Sequence, residues 1–412
     1  MKARCKNIWF LSAYDQPLGL SARTDHFAEY FSEKGFKVTF ITNNFCHFKK
    51  NYTRRVRFLW SNEKIKKYKV IWLKTSKYSS NTGLGRVLNM WQNAYKTFIY
   101  GICCKNKPSI IIAPSVPISL GFIGCLLAKR FKCKMVYEIR DLWPQALVDV
   151  GAISKTSFTF YVMRYMEKFI YKNSSAIVST LPFVRNHLKK THNKKYLIKV
   201  IPNGIKKQNQ LKLNKNKFVK KPNQPFKIMY FGGFGLDHDV HSIIIAAKYL
   251  EELNPGKYKF FLFGSGPKKN VLIQLCEKNN LKNIKFFKPT KQDNIPKVAS
   301  GADLLIAAIT NSPSYKFGLN LNKICTYFCS FRPILFSGNV KNNPVSLAKA
   351  GASVPAESPE KLALAIQKIC LTHPNKKWRM ALNGYKFAKN NLCIERLGNE
   401  YLGLIKKILE KE

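Results

Sequence analysis

The sequence predicts an α/β protein built as two doubly wound, Rossmann-like domains facing a cleft. Three observations carry this. The chain has 412 residues, more than one hydrophobic core usually holds. Each half repeats strand, loop, amphipathic helix and strand, the order that builds a parallel sheet with right-handed crossovers. Between the halves lies "KKQNQLKLNKNKFVKKPNQP", residues 206 to 225, a polar, basic and proline-bearing stretch that reads as a linker.

The elements follow in order. "NIWFLSA" is a strand, "YDQPLGL" a loop, and "SARTDHFAEYFSEKG" a helix capped by Ser21 and stopped by Gly35. Phe27, Tyr30 and Phe31 share one face of that helix, and "FKVTFIT" is the next strand. "SIIIAP", "ISLGFIGCLLAKRF" and "KMVYEIRD" repeat strand, helix and strand. Residues 108 to 128 are uncharged over about the length of a membrane span, but Pro114 and Pro117 divide them into a buried strand, a loop and a helix. "FTFYVMRYMEKFIYKN" is a helix, "SAIVST" a strand and "FVRNHLKKTH" a helix, and "IKVIPNGI" closes the first half. In the second half "FKIMYFGGFG" and "YKFFLFGSGP" are strands entering glycine loops, each followed by a helix. "IKFFKP" and "ADLLIAAI" are further strands. "LALAIQKICL", "WRMALNGYKFAKNN" and "IERLGNEYLGLIKKILEK" are helices. The expected domains are 1–205, a linker at 206–225, a second domain at 226–385, and terminal helices at 386–412 crossing back to the first.

Lys and Arg number 71 against 22 Asp and Glu, a net charge of +49. That balance calls for an anionic partner, whether nucleic acid, acidic phospholipid or a phosphorylated substrate. No nucleic-acid-binding module is recognisable and the charge is not confined to tails, which argues against nucleic acid. The eleven cysteines show no C-x-x-C spacing, so they read as reduced thiols in a cytosolic chain. The first apolar run is too short for a secretion signal. Basic clusters at 49–57, 64–69 and 189–195 lie in the first half among aromatic residues. "RVLNMWQNAYKTFIYGICCKNK", 86 to 107, reads either as a core-facing helix or as one lying in a bilayer interface with its lysines reaching headgroups.

Three loops are candidates for holding phosphate: 15–20 with Gly19, 231–236 with Gly232 and Gly233, and the polar stretch that opens "YKFGLNLNKICTYFCSFRPILFSG", 315 to 338. Each brings backbone N–H groups and a helix start to a sheet edge, and glycine permits close approach. None has the G-x-G-x-x-G spacing of a dinucleotide site. Lys323 falls in the first turn of a helix, useful where an anion sits in front of it. "DHDVH", 237 to 241, is either a metal-ligating pair, His238 and His241, or a polar loop with a helix cap. In "EIRDLWPQ", 138 to 145, Glu138, Arg140 and Asp141 end a parallel strand, where charged groups face a crevice or form a structural ion pair.

Several stretches together resemble the bacterial family 4 glycosyltransferases of GT-B architecture, most closely the O-antigen and capsule branch that includes fucosaminyl transferases. They are "GLSARTDHFAEYFSEKGFKVTFIT", "EIRDLWPQALVDVGAI", "VIPNGI", "YFGGFG", "FGSGP", "FGLNLNKICTYFCSFRPIL" and "NNPVSLAKAGASVPAESPEKLALAI". The resemblance implies retaining transfer of a sugar, an N-acetylated amino or deoxy sugar, from a nucleotide-sugar donor, UDP-linked, without a metal or resident cofactor. It implies a donor on the second domain, contacted by Gly232, Gly233, Gly264, Gly266, Lys268, Asn320, Asn322, Lys323, Ile324 and Thr326, with the Gly19 loop closing over the diphosphate. The acceptor, a polyprenyl-diphosphate-linked glycan at the anionic inner face of the cytoplasmic membrane, would meet Arg23, Glu138, Arg140, Trp143 and Gln145. Thr326 stands where the family places the acidic residue that holds ribose, Asn320 and Leu321 replace a frequent Ser-Pro, Arg140 replaces a crevice histidine, and Gln145 replaces a frequent Glu. No Arg–Lys pair follows the loop at Gly233, so Lys268 or Lys323 would neutralise the leaving diphosphate.

The implied chemistry is loosening of the anomeric bond, charge stabilisation by Lys323 and backbone N–H groups, and attack of the acceptor hydroxyl from the same face, with Arg140 and Asp141 orienting the reactants. The alternatives are a catalytically silent partner subunit, suggested by Thr326, a nucleotide-sugar 2-epimerase, and a nucleic-acid binder.

Overall fold

The computed structural model describes residues 6–17, 22–80, 83–191, 196–206, 215–221 and 223–410. They divide into two compact units, Met1–Pro202 with Ile394–Glu412, and Asn203–Cys393.

Unit 1 contains β1 (Asn7–Leu11), α1 (Ala22–Glu33), β2 (Lys37–Asn43), β3 (Phe45–Cys46), β4 (Asn51–Tyr52), β5 (Trp60–Ile65), β6 (Tyr68–Leu73), α2 (Leu84–Cys103), β7 (Ile110–Pro114), α3 (Ile118–Phe131), β8 (Lys134–Ile139), α4 (Gln145–Asp149), α5 (Phe158–Asn173), β9 (Ala176–Ser179), α6 (Val184–Thr191) and β10 (Ile198–Val200). Its main sheet runs β10-β9-β8-β7-β1-β2-β6-β5. Neighbours pair in parallel except β5, which is antiparallel to β6 with Asn62 opposite Ile71. β1 and β7 are buried at every position, as a parallel sheet covered on both faces requires.

Unit 2 contains β11 (Phe226–Phe231), α7 (Val240–Leu253), β12 (Tyr258–Phe263), α8 (Lys269–Lys278), β13 (Ile284–Phe287), α9 (Ile295–Ala299), β14 (Leu304–Ala308), α10 (Asn322–Phe328), β15 (Ile334–Ser337), α11 (Pro344–Leu347), β16 (Gly351–Val354), α12 (Pro359–Leu371) and α13 (Pro374–Asn391). Its sheet, β13-β12-β11-β14-β15-β16, is parallel throughout. The last helix, α14 (Ile394–Leu409), packs on α1 in unit 1.

Two expectations need adjustment, and one basic run acquires a structure. The stretch 206–225 is not wholly a linker: residues 207–214 and 222 lie outside the described set, but Phe218 is buried with Phe331 and Ala381 and packs edge-on against Trp378 at 5.7 Å, because an aromatic ring beside an apolar groove gains by leaving water. The boundary at 385/386 falls inside the continuous helix α13, and the chain changes unit at Cys393 and Ile394. The basic run at 64–69 is a hairpin, turning at Lys66 with φ 52°. Its lysine pairs with Glu29 at 2.9 Å and Asp25 at 3.4 Å.

Phe27, Tyr30 and Phe31 of α1 are buried. Tyr401 of α14 meets Phe27 and Phe31 edge-on at 5.3 and 5.5 Å. Gly398 lies where a β-carbon would strike the Tyr30 ring, whereas nothing lies within 4 Å of that position at Gly403. Gly398→Val is therefore expected to destabilise unit 1 by about 1–3 kcal/mol through overpacking. Gly403→Ala is expected to stabilise it by roughly 0.5–1 kcal/mol. Urea unfolding followed by near-ultraviolet circular dichroism checks both signs.

Candidate functional site

Parallel strands send their carboxyl ends to one edge, so the loops following β11, β12 and β14 meet there. In unit 2 these loops interlock. Gly232 N–H donates to Phe263 O at 3.0 Å, Phe234 N–H to Ser265 O at 2.9 Å, and Lys268 N–H to Phe234 O at 3.0 Å. A β-carbon at Gly264 would strike Gly232 O, and one at Gly266 (φ 156°) would stand 2.5 Å from Phe234 O. Gly264 and Gly266 thus serve loop against loop, and the N–H of Gly232 is already spent.

On the other side of Gly232 stands Lys323, at the start of α10. A β-carbon at Gly232 would lie 2.5 Å from its Nζ. The ammonium sits 4.3 Å from the centre of the Tyr230 ring and donates to the Tyr230 hydroxyl at 3.0 Å. That hydroxyl donates to Gly233 O at 2.7 Å. Burial pulls the Lys323 pKa down to about 7, with Asp237 opposing the shift. Burial and the Lys323 charge lower His238 to about 4, again opposed by Asp237. Among the described residues of the 237–241 and 315–325 stretches, three buried polar atoms have no hydrogen-bond partner: His238 Nδ1, Asp239 Oδ2 and Asn320 Nδ2. Asn322 is exposed. Ile324 N–H is spent on Leu321 O at 3.1 Å, and the Thr326 hydroxyl donates to Asn322 O at 3.1 Å in its own helix.

A cavity of about 360 Å³ adjoins, lined by Phe234, His238, His241, Lys268, Thr310 and Glu357 among others, within the range of small-ligand sites. In the 237–241 stretch Asp239 caps α7, accepting from Ser242 N–H at 3.0 Å, and His241 is exposed. The polar-loop reading describes it.

In unit 1 the structure gathers Arg23, Glu138 and Arg140, but into a closed network. Arg140 Nη1 donates to Asp15 Oδ2 at 2.6 Å, Nη2 to Thr24 Oγ1 at 2.8 Å and Nε to Glu138 Oε1 at 2.8 Å. Arg23 pairs with Glu138 Oε1 at 3.1 Å and donates to Pro202 O at 2.7 Å. Tyr401 donates to Glu138 Oε2 at 3.4 Å. Burial alone would raise the Glu138 pKa; Arg23 and Arg140 outweigh it and hold the carboxyl down at about 2. Arg140 is thus a fastener between strand ends, its three nitrogens already donated. Trp143 is buried, Gln145 Nε2 donates to Asp149 Oδ1 at 2.8 Å, and Asp141 is exposed. Gly19 lies outside the described residues.

Sequence reasoning missed Tyr230, which looks like a core strand residue, and Asp15 and Thr24. It also missed a second cluster at the same edge of unit 1. Tyr14 lies tilted against His47, ring centres 4.9 Å apart, and accepts from the Arg86 guanidinium at 3.1 and 3.2 Å on its hydroxyl. His47 Nδ1 lies 2.5 Å from the Tyr78 hydroxyl, and Lys50 Nζ sits 4.4 Å above the Tyr78 ring. Burial, with the charges of Lys50 and Arg86, lowers His47 to about 3. The basic cluster at 49–57 was the available signal.

Two Rossmann-like units, each with a polar cluster at its strand tips, define the GT-B class of sugar transferases. The sequence matches the family model Glycosyltransferase Family 4 over residues 18–209 and Glycosyl transferases group 1 over 211–387; the chain belongs to the family 4 glycosyltransferases. Solved structures share the fold at low identity. Sucrose-phosphate synthase from Thermosynechococcus elongatus gives a TM-score of 0.74 at 16% identity, covering 99% of this chain and 100% of that one. Anabaena Alr3699/HepE in complex with UDP gives 0.68 at 13%, covering 98% and 100%. WaaG, a glycosyltransferase involved in lipopolysaccharide biosynthesis, gives 0.64 at 13%, covering 97% and 99%. No curated protein matches the sequence.

Two outcomes follow from these geometries. An anion against Lys323 must raise its pKa from about 7, so binding takes up a proton. Affinity for sulfate, an anion that does not itself titrate here, is expected to fall about tenfold from pH 6 to pH 8, and to lose that dependence in Lys323→Met, as isothermal titration in two buffers would read. In unit 1, the Glu138 shift stabilises the fold above pH 4.5 and is lost as pH falls through about 2. Arg140→Met removes the cation shared by Asp15 and Glu138, although Glu138 keeps Arg23. Its destabilisation, about 3–5 kcal/mol at neutral pH, is expected to shrink on acidification, measured by urea midpoints across pH.

Proposed function

We propose that this glycosyltransferase moves a sugar, an N-acetylated amino or deoxy sugar, from a UDP-linked donor to a polyprenyl-diphosphate-linked glycan, with retention of anomeric configuration and without a metal or resident cofactor, in O-antigen or capsule synthesis at the inner face of the cytoplasmic membrane. The observation that carries it is Lys323 against Gly232, a desolvated ammonium whose neighbours are the ring and hydroxyl of Tyr230, with the amide Asn320 Nδ2 buried and unpartnered three residues before it; both suit an anion. The similarly folded Anabaena HepE structure, solved in complex with UDP, supports a nucleotide-sugar donor.

In this reading Lys323, Asn320 and the Gly233 N–H stabilise charge growing on the leaving diphosphate. No side-chain nucleophile is needed, because the departing phosphate oxygen takes the acceptor's proton on the same face. Lys268 and His238 border the cavity for the donor. Arg140, Glu138 and Arg23 hold the strand tips of unit 1, while Asp141, Gln145, Arg86 and Lys50 meet the acceptor and its diphosphate.

A second reading, a silent partner subunit, is favoured by one observation: the Thr326 hydroxyl is turned onto Asn322 O, so ribose has no carboxylate at this position. An epimerase would turn over without an acceptor. One set of measurements separates the three. A UDP-sugar at about 100 times its Kd is expected to raise the melting temperature by roughly 5–10 °C, and UDP release is expected to require lipid acceptor. Stabilisation without acceptor-dependent release sinks the transferase. Thr326→Glu is expected to raise nucleotide affinity about tenfold, the scale of one charge-assisted hydrogen bond.

A further inference from the structure

Helix α2 buries Ala94 and Tyr100 near its C-terminal half but otherwise turns a polar stripe inward and an apolar one outward. Asn89, Asn93 and Thr97 are buried, while Leu84 (87%), Leu88 (53%), Trp91 (51%), Tyr95 (62%) and Ile102 (40%) are exposed. The polar stripe has a structural use. Asn89 Nδ2 donates to Thr75 Oγ1 at 3.0 Å and to Ser76 O at 2.6 Å, and Asn93 Nδ2 reaches Ser12 O at 3.5 Å. The exposed residues recur at positions 84, 88, 91, 95 and 102, one stripe of a helix. A helix covering a water-facing sheet carries its apolar stripe on the other side, so this stripe has no role in the fold of unit 1.

The face extends across two more helices. α3 packs against α2 on one flank and α5 on the other. Gly101 admits the Leu127 side chain, a β-carbon at Gly121 would stand 3.0 Å from Ile170 Cδ1, and the Phe122 and Phe169 rings lie 5.0 Å apart. α5 exposes Phe158, Tyr161 and Tyr165. The segments 84–107, 118–133 and 155–173 together hold eleven Lys and Arg and one acidic residue, Glu167, which is buried against Arg164.

We propose that the outward face of α2, α3 and α5 is the surface by which this protein docks on an anionic lipid bilayer. Aromatic rings with polar edges favour the headgroup boundary, and the surrounding cations match acidic headgroups. A second copy of the same face fits poorly, since pairing would bring both sets of cations together. Among the described residues no helix is long and apolar enough to cross a membrane, so the docking is peripheral. The inference deepens the reading of a lipid-linked acceptor, and rests on it for its purpose, but is tested without any substrate.

The test uses the full chain with vesicles of phosphatidylcholine alone or with 30% phosphatidylglycerol, read by flotation (about a third anionic lipid suffices for electrostatic recruitment). Binding is expected only to the anionic vesicles. Trp91→Glu and Tyr165→Glu, both at exposed positions, are each expected to weaken it at least tenfold with unchanged melting temperature and unchanged stabilisation by UDP. Vesicle binding equal to wild type in both variants overturns the proposal. So does a wild-type dimer in solution that either variant dissolves, which would make the face a self-interface. Duplex DNA binding that the same substitutions weaken equally would also overturn it. Loss of UDP stabilisation in every form, with vesicle binding intact, would instead remove the donor reading and leave the docking face standing.

Discussion

Parallel strands put all their carboxyl ends on one edge, and the chain must leave that edge through loops whose polar groups have no ladder to join. Both units meet this constraint with a cation, in opposite ways. Arg140 is closed: two carboxylates and a hydroxyl take its three nitrogens, and a fork so satisfied fixes three chain segments at once. Lys323 is open: Tyr230 attends it with both ring and hydroxyl, and Asp237, the carboxylate that opposes its shift, is exposed. A desolvated cation so weakly compensated is poor for stability and well suited to a ligand that brings negative charge. The difference between the two edges is one of compensation rather than of residue type.

The parts of the fold set by periodicity were legible. The fully apolar strands, the amphipathic α1 and the glycine stops could be read because each is a local pattern with one low-energy answer. Glycine loops announced themselves too, but not their reason. Gly264 and Gly266 are excluded from bearing side chains by the backbones of Gly232 and Phe234, a contact between loops some thirty residues apart, which no local pattern encodes. Tyr230 was invisible for a related cause. It lies one residue before the end of a buried strand, where an aromatic residue is expected for packing alone, and its hydroxyl meets Lys323 because α10 brings the lysine over it.

Helix α2 shows a different limit. Periodicity reveals that a helix has an apolar stripe, not which way the stripe faces. The Asn stripe faces inward because the loops after β1 and β6 expose carbonyls and a hydroxyl there, at Ser12, Thr75 and Ser76. The hairpin of β5 and β6 was likewise hidden under charge, since Lys64 and Lys69 sit opposite each other on its exposed side while Val70, Trp72 and Ile65 go to the core.

Thr326, set by the sequence resemblance where an acid is expected, bears on the electrostatics of Lys323. Residues 323 and 326 are three apart in α10 and so share a face. A carboxylate at 326 would stand near Lys323, oppose its desolvation and hold its pKa up. A threonine instead closes its hydroxyl onto the Asn322 carbonyl, the local bond that side chain prefers in a helix, and adds no charge. The lysine is left with Asp237 alone to raise its pKa, which is why burial prevails and the value falls to about 7. Under the proposed donor site, a threonine in place of an acid here would do two things together: leave a diol without a bidentate partner and raise the positive potential at the neighbouring ammonium. In the proposed donor site, recognition moves from the ribose to the diphosphate.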